Sequence, residues 1–156
     1  MFSAIVREAF RQTGLHVFVT SDGAGAAIWA GVDHWKMSTL AMVRLTPTAM
    51  RAGFARARAV KLSAALQRAH PRAPHHYLEV IGTRPDRQGT GVGSSLVTAL
   101  LERSDTDGVG TYLESSNPHN LAFYQRHGFE PQPAIALPEG CPPDTPMWRE
   151  PRLSAS

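Results

Sequence analysis

Three glycines at alternate positions, Gly89, Gly91 and Gly93, stand in the stretch GTRPDRQGTGVGSSL, between a β-branched run and a run with helical periodicity. A fixed glycine costs conformational entropy, so it is expected where the backbone needs φ > 0 or where something must approach without a Cβ in the way. A tight strand-to-helix turn needs one such residue, seldom three in five. Three of them at a helix start aim several backbone N–H groups and a helix N-terminus at one place, which suits a phosphate. The helix dipole alone is worth about 0.3–1 kcal/mol per exposed charge, so a diphosphate needs several of those amides together. Two common nucleotide loops fit poorly. A P-loop requires Gly-Lys, which occurs nowhere in the chain. A dinucleotide fold requires G-x-G-x-x-G directly after the strand, whereas Gly89-x-Gly91-x-x ends on Ser94 and Arg84 to Gln88 intervene; Glu114, some twenty residues on, alone keeps that option open.

Around the glycines the chain alternates strands and helices. Residues 2 to 13 are expected to form a short helix stopped by Gly14, and LHVFVT and AAIWAG two strands of a hairpin around SDGAG. Thr46-Pro47 offers a cap followed by proline, opening a helical region to about Ala69 in which Leu62, Ala65, Leu66 and Ala69 form a buried stripe. HHYLEVIGT, 75 to 83, reads as a strand, with Leu78 and Val80 on one face and Tyr77, Glu79, Ile81 and Thr83 on the other. Val92, Leu96, Ala99, Leu100 and Arg103 follow helical spacing up to a stop at Gly108, and VGTYLES is the next strand. Asn117-Pro118 opens a helix over about 118 to 127, ended by Gly128, before two closing strands, FEPQPAIAL and PMWRE. This order predicts an α/β (α+β) domain over residues 1–150 whose middle strands are parallel, with a short frayed tail at 151–156.

Composition narrows the class. A chain of 156 residues with 42% hydrophobic and 19% charged content is one ordinary globular domain. No apolar run reaches the roughly 18 residues of a membrane span, and MFSAIVREAFRQTG carries charges where a signal peptide would be apolar, which predicts a cytoplasmic protein. The lone Cys141 sits in a proline-rich stretch without an activating base. His34 to Leu78 holds eight Lys or Arg and no Asp or Glu. That segment is either a solvated helix face or an attractor of anions; no nucleic-acid-reading motif accompanies it. His70, His75 and His76 lack the carboxylate or thiol that would complete a metal set, and His75 and His76 point to opposite faces of a strand, so no metal is expected.

RPDRQGTGVGSSL resembles the acetyl-CoA pyrophosphate loop of the GNAT N-acetyltransferase superfamily, whose motif Arg/Gln-x-x-Gly-x-Gly/Ala is here Gln88-Gly89-Thr90-Gly91-Val92-Gly93. YLESSNPHNLAFYQRHGFEP is similar to that superfamily's second signature, a strand, an Asn, a helix bearing Tyr, then Gly-Phe. Likeness to the puromycin N-acetyltransferase-like branch extends through HHYLEVIGT and the closing ALPEG and MWRE, covering residues 75 to 150. The resemblance implies a GNAT-like mixed central sheet with flanking helices, and that the family's usual first strand and helix precede the point where this sequence begins. It implies acetyl-CoA as co-substrate and an amine acceptor, with no nucleic acid or membrane partner, and an exposed sheet edge that a homodimer would cover.

Carried onto this sequence, the resemblance assigns cofactor contacts to Ile81 and Thr83 of the strand, to Arg87, Gln88, Gly89, Thr90, Gly91, Val92, Gly93 and Ser94 of the loop, and to Asn117, Asn120, Phe123 and Arg126. Asn117 is equally a good helix cap, and Arg126 equally a surface cation at a helix C-terminus. Tyr124 matches the tyrosine that protonates the departing sulfur, a phenol of pKa about 10 beside a thiol of about 8.5, or else it is a core aromatic. Glu79 and Glu114 are both candidates for the base, alongside ordinary strand carboxylates and a mechanism that leaves the proton to water. The expected activity is acetyl transfer to a primary amine of a small molecule or peptide; the rival is a catalytically silent acyl-CoA-binding module.

Overall fold

A computed structural model of the chain describes residues 6–12, 14–32, 34, 61–62, 64–137, 139 and 144–152. Among the described residues, seven strands form one mixed sheet in the order β1-β2-β3-β4-β5-β7-β6. They are β1 (Val6–Gln12), β2 (Leu15–Thr20), β3 (Gly25–Ala30), β4 (His75–Thr83), β5 (Gly110–Ser115), β6 (Glu130–Pro131) and β7 (Thr145–Arg149). Helix α1 (Val92–Asp107) crosses between β4 and β5, the parallel pair, and α2 (Leu121–Arg126) follows β5. A single turn over Pro85–Arg87 precedes the glycine loop, and another over Pro118–Asn120 leads into α2. Residues 64–69 are helical.

The spacing of apolar residues accounts for the packing. Val92, Leu96, Val97, Leu100 and Leu101 of α1 join Trp29, Leu78, Leu113, Tyr124, Phe129 and Met147 in a core on one face of the sheet. Gly108 closes α1 at φ 66°, the left-handed conformation that glycine enters without penalty. The opposite face carries His70, His75, Tyr77 and Tyr112, their rings 4.8–5.9 Å apart in several pairs. His75 and His76 serve opposite faces. His75 meets His70 at 2.9 Å, while His76 meets Asp107 at the end of α1, also at 2.9 Å.

Three expectations are corrected. Residues 6–12 are a strand, not a helix: they pair antiparallel with β2, Val6 opposite Thr20 and Gln12 opposite Leu15, and Gly14 at φ 80° turns a hairpin where a helix stop was expected. A positive-φ glycine serves either role, so sequence did not separate them. The first closing strand shrinks to Glu130–Pro131, with residues 132–137 irregular. Of the helical stripe, Ala65 is buried whereas Ala69 is exposed. The Thr46-Pro47 helix start, most of the basic segment, Cys141 and the last four residues lie outside the described residues. No described helix is long and apolar enough to cross a membrane.

Candidate active site

A gap opens in the middle of the sheet. The parallel ladder between β4 and β5 ends at Leu78 opposite Leu113, although β4 runs on to Thr83 and β5 to Ser115. On its other side β4 stays paired with β3 as far as Thr83 opposite Gly25. Residues 79–83 therefore present the backbone polar groups that would have met β5, and an extended ligand can take them up as a neighbouring strand would. A bulge shapes this lip: Trp29 is opposite Leu78 and Ile28 opposite Val80, so Glu79 has no counterpart. The extra residue reverses the alternation beyond it. Leu78 and Val80 consequently do not share a face, against expectation. Leu78 is buried and Val80 is 55% exposed, while Ile81, expected opposite Leu78, packs on the same core.

The glycine loop closes one end of the gap. Arg84 N–H donates to the Ala24 carbonyl at 2.8 Å, tying the loop to the β2–β3 turn, and Arg87 pairs with Asp22 of that turn at 2.8 Å. Gly89 and Gly91 hold φ of 75° and 90°. A Cβ on Gly89 would meet nothing within 4 Å, so there the glycine serves conformation and open approach. The first turn of α1 starts with Ser95 N–H donating to Gly91 O at 3.0 Å, which leaves the amides of Val92, Gly93 and Ser94 without helical partners. No side chain caps this helix and no acid lies in its first turn, so its positive end is uncompensated. Gly93 has a separate task. A Cβ there would stand 3.4 Å from the Phe123 ring and 3.7 Å from Thr83 Oγ1, so its absence lets α1, α2 and the end of β4 converge. The Val92 side chain is core, which leaves only its backbone for a ligand. Ser94 Oγ lies 3.2 Å from His127 Nε2, and Thr90 donates its hydroxyl to Arg87 O. Gln88 is exposed.

Past β5, Asn117 accepts the His119 N–H at 3.0 Å, which is the cap reading of this residue. The Asn120 and Arg126 side chains are exposed, and Arg126 is the basic residue in the last turn of α2. Tyr124 is buried between Phe123 and Phe129, and burial raises its phenol above the ordinary range. The structure thus brings Thr83, Gly93, Ser94, Phe123 and His127 together at the C-terminal ends of β4 and β5. Arg87 is held by Asp22, and Arg126 lies in a crevice with Asp105, Arg149 and Arg152.

The two expected base candidates have different surroundings. Glu79, at the bulge, is half-buried and its carboxyl is raised by desolvation. The Glu114 side chain is 8% exposed; its Oε2 accepts the Tyr77 hydroxyl at 2.6 Å and its Oε1 has no hydrogen bond. His70 Nδ1 stands 3.7 Å from that oxygen. Burial, then Glu114, then Glu79 push the Tyr77 phenol up, so both carboxylates are near one hydroxyl. Tyr112 is raised by burial and by the Glu114 charge, although no hydrogen bond closes between them. Tyr77, His70 and Tyr112 were not anticipated as site residues. Their meeting depends on the register Tyr77 opposite Tyr112 and on a helix end 5 residues before β4, neither of which has a local sequence signal. Tyr112 also forms part of a cleft of about 530 Å³ walled by Ala65, Ala69, Pro133, Ile135 and Pro146.

A model of the acetyltransferase (GNAT) family matches residues 38–129. An uncharacterized N-acetyltransferase of Schizosaccharomyces pombe is 36% identical over 61 residues, 39% of this chain and 25% of that protein. A mycothiol acetyltransferase of Streptomyces coelicolor is 40% identical over 53 residues, 32% of this chain and 17% of that protein. The match thus spans a quarter or less of either curated relative. A crystal structure of a histone acetyltransferase HPA2 and related acetyltransferase from Corynebacterium glutamicum shares the fold, with a TM-score of 0.62 at 24% identity over 92% of this chain and 68% of that one.

Proposed function

The chain belongs to the acetyltransferase (GNAT) family, and on that premise we propose that it transfers the acetyl group of acetyl-CoA to a primary amine by direct attack. The reading rests chiefly on one observation: the unpaired lip of β4, residues 79–83, runs into the uncapped start of α1. The residues present fit the co-substrate. Gly89 to Ser94 offer open backbone and free amides to the diphosphate, and Ile81 and Thr83 lie on a strand edge suited to the amides of the pantetheine arm. Gln88, Thr90 and Arg87 flank that strip, with Arg87 released from Asp22 or shared with it. Phe123 packs beside Gly93, and Asn120 and Arg126, both exposed, are free to meet an outer part of the molecule.

Acetyl-CoA supplies an activated thioester; the chain supplies position and protons. The amine nitrogen forms a bond to the acetyl carbon, the carbon–sulfur bond breaks, one proton leaves nitrogen and one arrives at sulfur. Tyr124 keeps its proton across neutral pH because burial raises its pKa, as a donor to sulfur requires. Glu114 is the preferred acceptor of the amine proton, since Tyr77 holds one oxygen and the other has no hydrogen bond. Within the family, the likeness of HHYLEVIGT and MWRE to the puromycin N-acetyltransferase-like branch supports a reading as a member of that branch. Calorimetric titration with acetyl-CoA, followed by release of free thiol over a panel of amines, tests the whole reading. Binding with turnover supports it. Binding without turnover for any amine would leave an acyl-CoA-binding module, and absence of binding would remove both.

A further inference from the structure

On the face of the sheet away from α1, a row of short contacts runs from the Ala73 carbonyl through His75, His70 and Glu114 to Tyr77, and the proposed reaction uses only its far end. His70 follows the helical residues 64–69, and its backbone N–H donates to the Leu66 carbonyl at 2.9 Å. Its side chain is 4% exposed and that of Glu114 8%, so the contacts between them are shielded from water. The partners fix where the hydrogens sit. A carbonyl oxygen only accepts, so His75 Nδ1, 2.6 Å from Ala73 O, carries a hydrogen. Neutral His75 then has a bare Nε2, and His70 Nε2, 2.9 Å away, donates to it. Nδ1 of neutral His70 is consequently without a hydrogen, and it faces Glu114 Oε1 at 3.7 Å. Tyr77 donates to the other carboxylate oxygen at 2.6 Å, and burial together with the Glu114 charge keeps its phenol protonated.

We propose that His70 is the positioning residue of the base: the proton that Glu114 draws from the amine passes from Oε1 to His70 Nδ1, which returns Glu114 to a carboxylate. The inference rests on the reading of Glu114 as that base. Two basic atoms face each other, and Oε1 has no hydrogen bond, so a proton between them replaces lone-pair repulsion by a charge-assisted hydrogen bond. That bond requires the pair to close from 3.7 Å to roughly 2.8 Å, a shift of side chains only. One proton added to the two histidines puts a hydrogen on His70 Nδ1 whichever ring holds the charge, because the Ala73 carbonyl keeps its own hydrogen on His75. In balance, an N–H bond of the amine breaks, an Nδ1–H bond forms, and the imidazolium gives its proton to water after product leaves. Among the described residues, the titratable groups around this pair are His75 and Tyr77 of β4, Tyr112 of β5, Glu79, whose charge acts on Tyr77, and Asp144, on which the Glu114 charge acts.

Long-range proton–nitrogen NMR correlations on the full chain, with its histidines nitrogen-labelled, read which ring nitrogens carry hydrogens. At about pH 8, above the ordinary histidine range, His70 should show a hydrogen on Nε2 and none on Nδ1, and the proton added as pH falls should appear on Nδ1. Glu114→Gln, which keeps the shape and removes the charge, should lower the proton affinity of His70 Nδ1 by at least about tenfold. His70→Gln should lower kcat for amine acetylation by about tenfold, with KM for both substrates within about twofold of the parent. A hydrogen already on Nδ1 at about pH 8 overturns the proposal, since the pair would have no room for the amine's proton. So does an equal proton affinity in Glu114→Gln, or an unchanged kcat in His70→Gln. Where His70→Gln does not fold, the spectra of the parent and of Glu114→Gln decide alone. The expected spectra from a chain that acetylates no amine would sink the enzyme reading and keep the shared proton; acetylation without those spectra would sink the proton path and keep the enzyme.

Discussion

Gly91 at φ 90° stands where a β-branched side chain is most strained, and it is also the residue from which α1 starts. Gly91→Val is therefore expected to raise the Kd for acetyl-CoA by at least about tenfold while a thermal melt loses only a few degrees, since the cost falls on the loop and not on the core. An unchanged Kd would detach the loop from cofactor binding. Tyr124→Phe tests the other end of the reaction. It removes the hydroxyl proposed to protonate sulfur, while a phenylalanine can fill the same place in the packing against Phe123 and Phe129. Turnover should fall by about a hundredfold, with acetyl-CoA affinity within about twofold of the parent. Turnover of the variant equal to the parent's would assign Tyr124 to the core alone. Because burial raises this phenol, the parent should keep its donor well past neutrality and lose activity from that side only at strongly alkaline pH.

At the scale of elements, the junction of β4 with the end of α1 sets an acid limit on stability. Burial lowers the His76 pKa from its usual 6.5, partly offset by Asp107, and the ring is 2.9 Å from that carboxylate. A group with a depressed folded pKa contributes stability that is complete above 6.5 and is lost as pH falls through the folded value. Urea unfolding midpoints should decline from about pH 7 to about pH 5, and His76→Gln should flatten that decline. A decline of the same slope in the variant would place the acid sensitivity elsewhere. The elements also show what sequence can carry. β4 matches the predicted strand, residues 75 to 83, because its apolar content is bracketed by Pro74 and Pro85. Its bulge at Glu79 had no signal, since an extra residue is defined by the partner strand and not by the bulged one. The hairpin of β1 was misread because a positive-φ glycine such as Gly14 suits a hairpin turn and a helix stop alike.

For the whole molecule, the legible part of the site is the part written contiguously. The glycine loop and its helix are local, so spacing located them, while the structure adds that Gly91 is the left-handed residue before α1. The cluster of Tyr77, Tyr112, Glu114 and His70 on the other face of the sheet meets only through strand order and register. The gap between β4 and β5 joins the two parts, with the glycine loop at the strand ends and Glu114 beside it. Amide hydrogen exchange with and without acetyl-CoA measures that gap most directly. Saturating acetyl-CoA should slow exchange in residues 79–83 and 89–95 together, with little change in β1 and β2. Slowed exchange confined to other segments, in a sample shown by calorimetry to bind acetyl-CoA, would contradict the account.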